Sequence, residues 1–153
     1  MNTVSNYLSA LREAMKAQGL DALVIPSADP HLSEYLPAHW QARRELSGFT
    51  GSVGTFVVTA DEAGVWVDSR YWEQATKQLA GSGIELQKSG QVPPYNEWLA
   101  ANLPENAAGG IPSDMVSLTG KRTLAQSLIA KNIRIEHPDD LLDRVWTSRP
   151  AIP

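Results

Sequence analysis

The chain has 153 residues, 42% of them hydrophobic, with 17 acidic against 13 basic side chains and a net charge of −4. That length suits one ordinary domain with enough apolar surface for a core, and the acidic balance argues against nucleic acid or an anionic membrane as a standing partner. Cysteine is absent, which excludes disulfides, zinc–thiolate sites and a thiol nucleophile and fits a reducing compartment. The opening stretch, MNTVSNYLSALREAMKAQG, is too polar for a signal peptide, and no run approaches the ~20 apolar residues of a membrane span. A cytoplasmic location is the expectation.

Taken in chain order, Val4, Tyr7, Leu8, Leu11, Ala14 and Met15 recur at helical spacing over 4–18, and Gly19 stands where a C-terminal cap belongs. Ala22-Leu23-Val24-Ile25 reads as a buried strand. Asp29-Pro30 looks like an N-cap with proline at the first helical position, starting a short helix through His31–Tyr35, and Trp40–Leu46 reads as another. Thr55–Thr59 is β-branched and aromatic, hence a strand. The turn Asp61-Glu62-Ala63-Gly64 leads into Val65-Trp66-Val67, so the pair is expected to be a hairpin. Residues 70–80 read as a helix closed by Gly81, Ile84–Gln87 as a strand and 94–102 as a short helix. Gly110-Ile111-Pro112 suggests an edge strand. Thr119–Ala130 is helical, Ile133–Ile135 a strand and Asp139–Trp146 a last helix. Alternation of strands and helices with one inserted hairpin implies an α/β domain, a mixed sheet of about five or six strands flanked by helices.

The loop S-G-F-T-G-S-V-G-T at 47–55 invites a phosphate-binding reading. A phosphate loop needs the order strand, glycines, helix, so that backbone N–H groups converge on the anion at a helix N-terminus. Here a helix precedes and a strand follows, and no lysine comes after the last glycine. Gly48, Gly51 and Gly54 are more simply read as backbone freedom or close packing at the entry to a sheet.

Histidines stand at 31, 39 and 137, none in a nucleophile context. His31 falls near Glu34 on one helical turn, which by itself reads as a structural or surface histidine. His137 with Asp139, Asp140 and Asp143 supplies metal-type ligands, but Pro138 and the capping roles open to the aspartates explain the cluster more simply. The five tryptophans suit core or interface anchors. Arg70 is different. It opens a helix, where a cation opposes the helix dipole by ~0.3–1 kcal/mol. Asp68, Glu73 or an anionic ligand could offset that, and an internal ion pair is the simpler physical choice.

Four blocks occur in order: I-P-S-A-D-P-H-L-S-E-Y (25–35), R-R-E-L-S-G-F-T-G-S-V-G-T (43–55), W-V-D-S-R-Y-W-E-Q-A (66–75) and V-W-T-S-R-P (145–150). Together they resemble the N-terminal domain of Xaa-Pro aminopeptidases, in the creatinase/prolidase-like metallopeptidases. The resemblance implies a ribonuclease-H-like α/β fold and a parent enzyme that removes the residue preceding a proline at the second position. It implies a pair of divalent metals, usually manganese, in a separate catalytic domain whose ligand motifs are not in this sequence. By itself the chain is then expected to be inert, with no cofactor or metal of its own and no catalytic residue. The family's N-terminal domain contributes subunit association in a homodimer, closure of the active-site mouth and a substrate contact. That contact is the arginine of the D-[GS]-R-Y block, Arg70 here, with Ser69 where relatives often have glycine. Residues 1–146 would be the domain, and the proline-rich end 147–153 the start of a linker to further domains. The alternative is a stand-alone binding or oligomerisation module of the same fold. A nucleotide-binding flavodoxin-like protein rests only on the glycines.

Overall fold

The computed structural model describes residues 3–26, 47, 54–111, 118–138, 141 and 145. The short helices expected at 31–35 and 40–46, together with His31, His39, Gly48, Gly51 and the aspartates at 139, 140 and 143, lie outside them. Four α-helices and six strands can be bounded among the described residues: α1 (Thr3–Ala17), β1 (Ala22–Pro26), β2 (Thr55–Thr59), β3 (Ala63–Val67), α2 (Trp72–Leu79), β4 (Glu85–Lys88), α3 (Tyr95–Asn102), β5 (Ala108–Gly110), α4 (Leu118–Leu128) and β6 (Arg134–Glu136). The strands form one mixed sheet in the order β4-β3-β2-β1-β5-β6. Strand β2 runs antiparallel to both its neighbours, whereas β3–β4, β1–β5 and β5–β6 are parallel.

The first helix forms because Leu8, Leu11 and Met15 bury one stripe against the sheet. It stops at Gly19, which takes φ +71. The Leu20 N–H bonds Met15 O at 2.8 Å and the Gly19 N–H bonds Lys16 O at 3.2 Å, the paired bonds of a Schellman cap. Helices α1 and α2 cover one face of the sheet, over Leu23, Ile25, Phe56, Val58, Val65 and Val67. Leu99 and Leu103 in and after α3, with Leu124 and Leu128 of α4, cover the other, over Val24, Val57 and Trp66. The alternation of residues 22–25 and 56–58 between the two clusters is the period-two signature of a strand buried on both faces.

Three elements differ from the sequence reading. Strand β3 already begins at Ala63, so Gly64 sits inside the sheet and not in the turn. A Cβ on Gly64 would stand 3.0 Å from Gln87 Cγ and 3.1 Å from the Trp66 ring, so a larger residue would have to displace one of these side chains and glycine leaves room for both. The turn itself is pinned by Thr59, whose N–H bonds Glu62 O at 2.8 Å and whose hydroxyl accepts from the Glu62 N–H at 3.0 Å. Strand β5 spans 108–110 and lies between β1 and β6, not at an edge. Helix 70–80 divides into a 3-10 turn, Ser69–Tyr71, and α2 proper. The final helix is described only at Leu141 and Val145, which are helical.

Candidate functional site

Register brings the described ends of three of the four blocks, Pro26, Thr55 and Trp66, to one end of the sheet. Pro26 ends β1 opposite Thr55, where β2 begins, and Thr55 lies opposite Trp66. Val67 closes β3 beside Lys88, which closes β4. The chain therefore leaves β1, enters β2 and leaves β3 and β4 along one edge, the carboxyl end of the parallel strands. In α/β sheets that is the edge where ligands are bound. Gly54, directly before β2, is buried.

Arg70 stands at this edge. The strand ends at Val67, whose carbonyl accepts from Trp72 Nε1 at 2.9 Å and from the Ser89 N–H at 2.9 Å. The next residue, Asp68, is extended and caps the 3-10 turn, its Oδ1 accepting from the Arg70 N–H at 3.0 Å. The same carboxylate receives the guanidinium side-on, Nε to Oδ1 at 3.1 Å and Nη2 to Oδ2 at 2.8 Å. Two parallel N–H···O bonds make a geometrically specific fork. The Arg70 side chain nonetheless remains 69% exposed and that of Asp68 41%, with the guanidinium carbon 5.3 Å from the Tyr71 ring centroid. Beside them the Lys88 ammonium lies 5.3 Å over the Trp72 ring. Of the two acidic partners considered for Arg70, the structure takes Asp68; Glu73 pairs with Lys77 at 3.4 Å, one helical turn on.

The side-chain hydrogen bonds from Arg70 hold the Asp68 carboxyl below the usual aspartate range; desolvation opposes this, and the backbone bond and the cationic charge add to it. A depressed folded-state value means that the interaction is present above the unfolded value and is lost as pH falls through the folded one. A carboxyl-carbon NMR titration of Asp68 is accordingly expected to show a midpoint below that of an ordinary aspartate, and to rise towards the ordinary value in Arg70→Ala, which keeps only the backbone bond. An unshifted midpoint in the wild-type chain would mean that the fork is not populated in solution.

The other candidates have separate places. His137 Nδ1 lies 2.9 Å from Ile111 O, joining β6 to the end of β5. Among the described residues no three His, Asp or Glu side chains gather where they could hold a metal ion. Trp66 and Trp98 pack edge-to-face at 5.3 Å within the α3/α4 side of the core, and Trp72 braces the Arg70 turn. A groove of ≈ 700 Å³ runs beside α1, lined by Arg12, Glu13, Lys16 and Asp21 over Leu8 and Met15. Its charges are of both signs, and none of residues 68–72 lines it. Sequence reasoning passed over Asp68 as a site residue in its own right. Its position two residues before Arg70, at the end of a strand, was the available signal. No helix among the described residues is long and apolar enough to cross a membrane.

The sequence profile of the Creatinase/Prolidase N-terminal domain matches residues 8–144. The chain is 41% identical over 150 residues to Aminopeptidase P1 of Arabidopsis thaliana, covering 96% of this chain and 23% of that protein. It is 38% identical over 148 residues to human Xaa-Pro aminopeptidase 2, covering 95% and 22% respectively. Among solved structures, an X-prolyl aminopeptidase from Caenorhabditis elegans, described as a cytosolic enzyme with a di-nuclear active site, superimposes with TM-score 0.89 at 30% identity. All of this chain and 27% of that one are aligned. The N-terminal domain of the cytoplasmic peptidase PepQ from Mycobacterium tuberculosis aligns over 95% of this chain and 99% of its own, with TM-score 0.68 and 26% identity. The chain thus spans less than a quarter of the length of the curated relatives named. With the mixed sheet, the Asp-Ser-Arg-Tyr turn at its carboxyl edge and the match from 8 to 144, the chain belongs to the creatinase/prolidase N-terminal domain family.

Proposed function

We propose that this chain is the non-catalytic N-terminal domain of a metal-dependent Xaa-Pro aminopeptidase, an enzyme that removes the N-terminal residue preceding proline. The observation that carries this reading is identity of 41% over 96% of the chain to an aminopeptidase P, confined to 23% of that protein's length. The reaction then belongs to a catalytic domain beyond these residues, where two divalent metals, manganese in this proposal, would polarise the reacting oxygens and activate water. Residues 1–146 form the domain and 147–153 the start of a linker. Its contributions are subunit association in a cytoplasmic homodimer, control of access to the active site and a contact from Arg70 to a peptide with proline second.

An exposed arginine at the ligand-binding edge of a sheet suits that contact, because its N–H groups reach solvent while its orientation is held. In the full-length enzyme Arg70→Ala is expected to lower kcat/KM for Xaa-Pro peptides by about ten- to a hundredfold, the range for losing one charge-assisted hydrogen bond. Metal content should be unchanged. Wild-type kinetics in this variant would remove Arg70 from the substrate site.

A further inference from the structure

The Asp68–Arg70 fork has a chemical consequence for what Arg70 can recognise. The carboxylate occupies Nε and one hydrogen of Nη2. The guanidinium edge formed by Nη1 and the outer hydrogen of Nη2 has no partner among the described residues. That edge is the one available to a ligand, and it is aimed by three hydrogen bonds converging on Asp68: Nε at 3.1 Å, Nη2 at 2.8 Å and the backbone N–H at 3.0 Å. The anion beside the cation also brings the formal charge of the pair to zero, leaving the Lys88 ammonium over the neighbouring Trp72 ring as a separate cation. An approaching carboxylate is then attracted by Arg70 and repelled by Asp68. A neutral carbonyl oxygen, which answers chiefly to the direction of the N–H groups, loses little.

We infer that Asp68 is a positioning and specificity residue: it presents the outer edge of Arg70 to a neutral main-chain carbonyl of the peptide and withholds the site from a free carboxylate. The inference rests on the substrate role proposed for Arg70. It adds a selection between two acceptors of similar shape and different charge, so the ligand is an extended or C-terminally blocked peptide in preference to one ending in a carboxylate near this edge.

The test is kinetic and uses the full-length enzyme with a Xaa-Pro-Xaa tripeptide as free acid and as C-terminal amide. Asp68→Asn keeps the side-chain size and an oxygen for the cap on the Arg70 N–H but removes the negative charge. The ratio of kcat/KM for amide over acid is expected to fall about fourfold in Asp68→Asn, as removal of one unit charge at about 5 Å in a solvent-exposed site implies. The change should reside mainly in KM and shrink at high ionic strength. Arg70→Lys, which keeps the cation and loses the fork, should lower kcat/KM for both peptides. An unchanged ratio in Asp68→Asn, with Arg70→Ala still impaired, would overturn the role of Asp68 and leave that of Arg70. Full activity of Arg70→Ala would overturn both.

Discussion

Trp66→Ala is expected to destabilise the domain by about 3–5 kcal/mol, the range for deleting a buried tryptophan, with a loss of roughly 6–20 °C in Tm. The side chain is only 5% exposed and packs edge-to-face on Trp98 at 5.3 Å. Its indole N–H donates to Pro93 O at 3.0 Å, tying β3 to the segment that starts α3. Three losses therefore coincide: apolar area, an aromatic pair and a hydrogen bond. Trp66→Phe retains most of the area and should cost far less, on the order of 1 kcal/mol for the lost bond, with a smaller packing loss. The position also bears on the site, since Trp66 immediately precedes Val67 and Asp68. Denaturant unfolding followed with the Asp68 carboxyl titration would read both effects. A loss below about 1 kcal/mol for Trp66→Ala would contradict the packing of this face.

Phe56→Ala tests the opposite face and is expected to cost a similar amount, about 3–5 kcal/mol. Phe56 is fully buried in the cluster that α1 and α2 form over the sheet with Leu11, Met15, Leu23 and Val65. A well-packed site of this kind collapses only partly around a deleted ring, so a cavity term adds to the lost transfer energy. Because the domain's total stability is expected to be only about 5–15 kcal/mol, the variant should remain folded at low temperature and unfold at much lower denaturant. In contrast to Trp66→Ala, the Asp68 midpoint in the folded variant should stay where it is in the wild-type chain. A shifted midpoint would show that the two faces of the sheet are coupled at the Arg70 turn.

The elements that the sequence announced most clearly are those with a local cause. Leu8, Leu11 and Met15 repeat at the spacing of one helical stripe, and Gly19 supplies the positive φ that ends the helix. Thr55–Thr59 carries β-branched and aromatic residues, and its partner strand follows across a short turn, so the hairpin needed no distant information. The four sequence blocks pointed to the family for the same reason, being long enough to identify without coordinates.

Strand β5 shows where such reading ends. Ala108-Gly109-Gly110 has little strand propensity, and pairing with β1 on one side and β6 on the other makes it an interior strand. A Cβ on Gly110 would stand 2.9 Å from Leu20 Cδ1 and 3.1 Å from Pro138 Cγ, both distant in sequence or outside the strand. Gly64 was legible as a turn residue and is a packing residue, because Gln87 comes against it from the parallel neighbour. Arg70 combines both cases. Its unfavourable place near a helix start showed that an anion was needed, while Asp68 and Glu73 both lay within reach along the chain. The 3-10 turn folds the Asp68 carboxylate under the guanidinium, and the following α-helix sends Glu73 to Lys77. The sequence alone thus determined the family, the α/β alternation and the helix stops, all consequences of short-range periodicity and backbone preference. Only the tertiary structure decided the order of the strands, the burial of β5 and the partner of Arg70, because each depends on which distant groups share the same space.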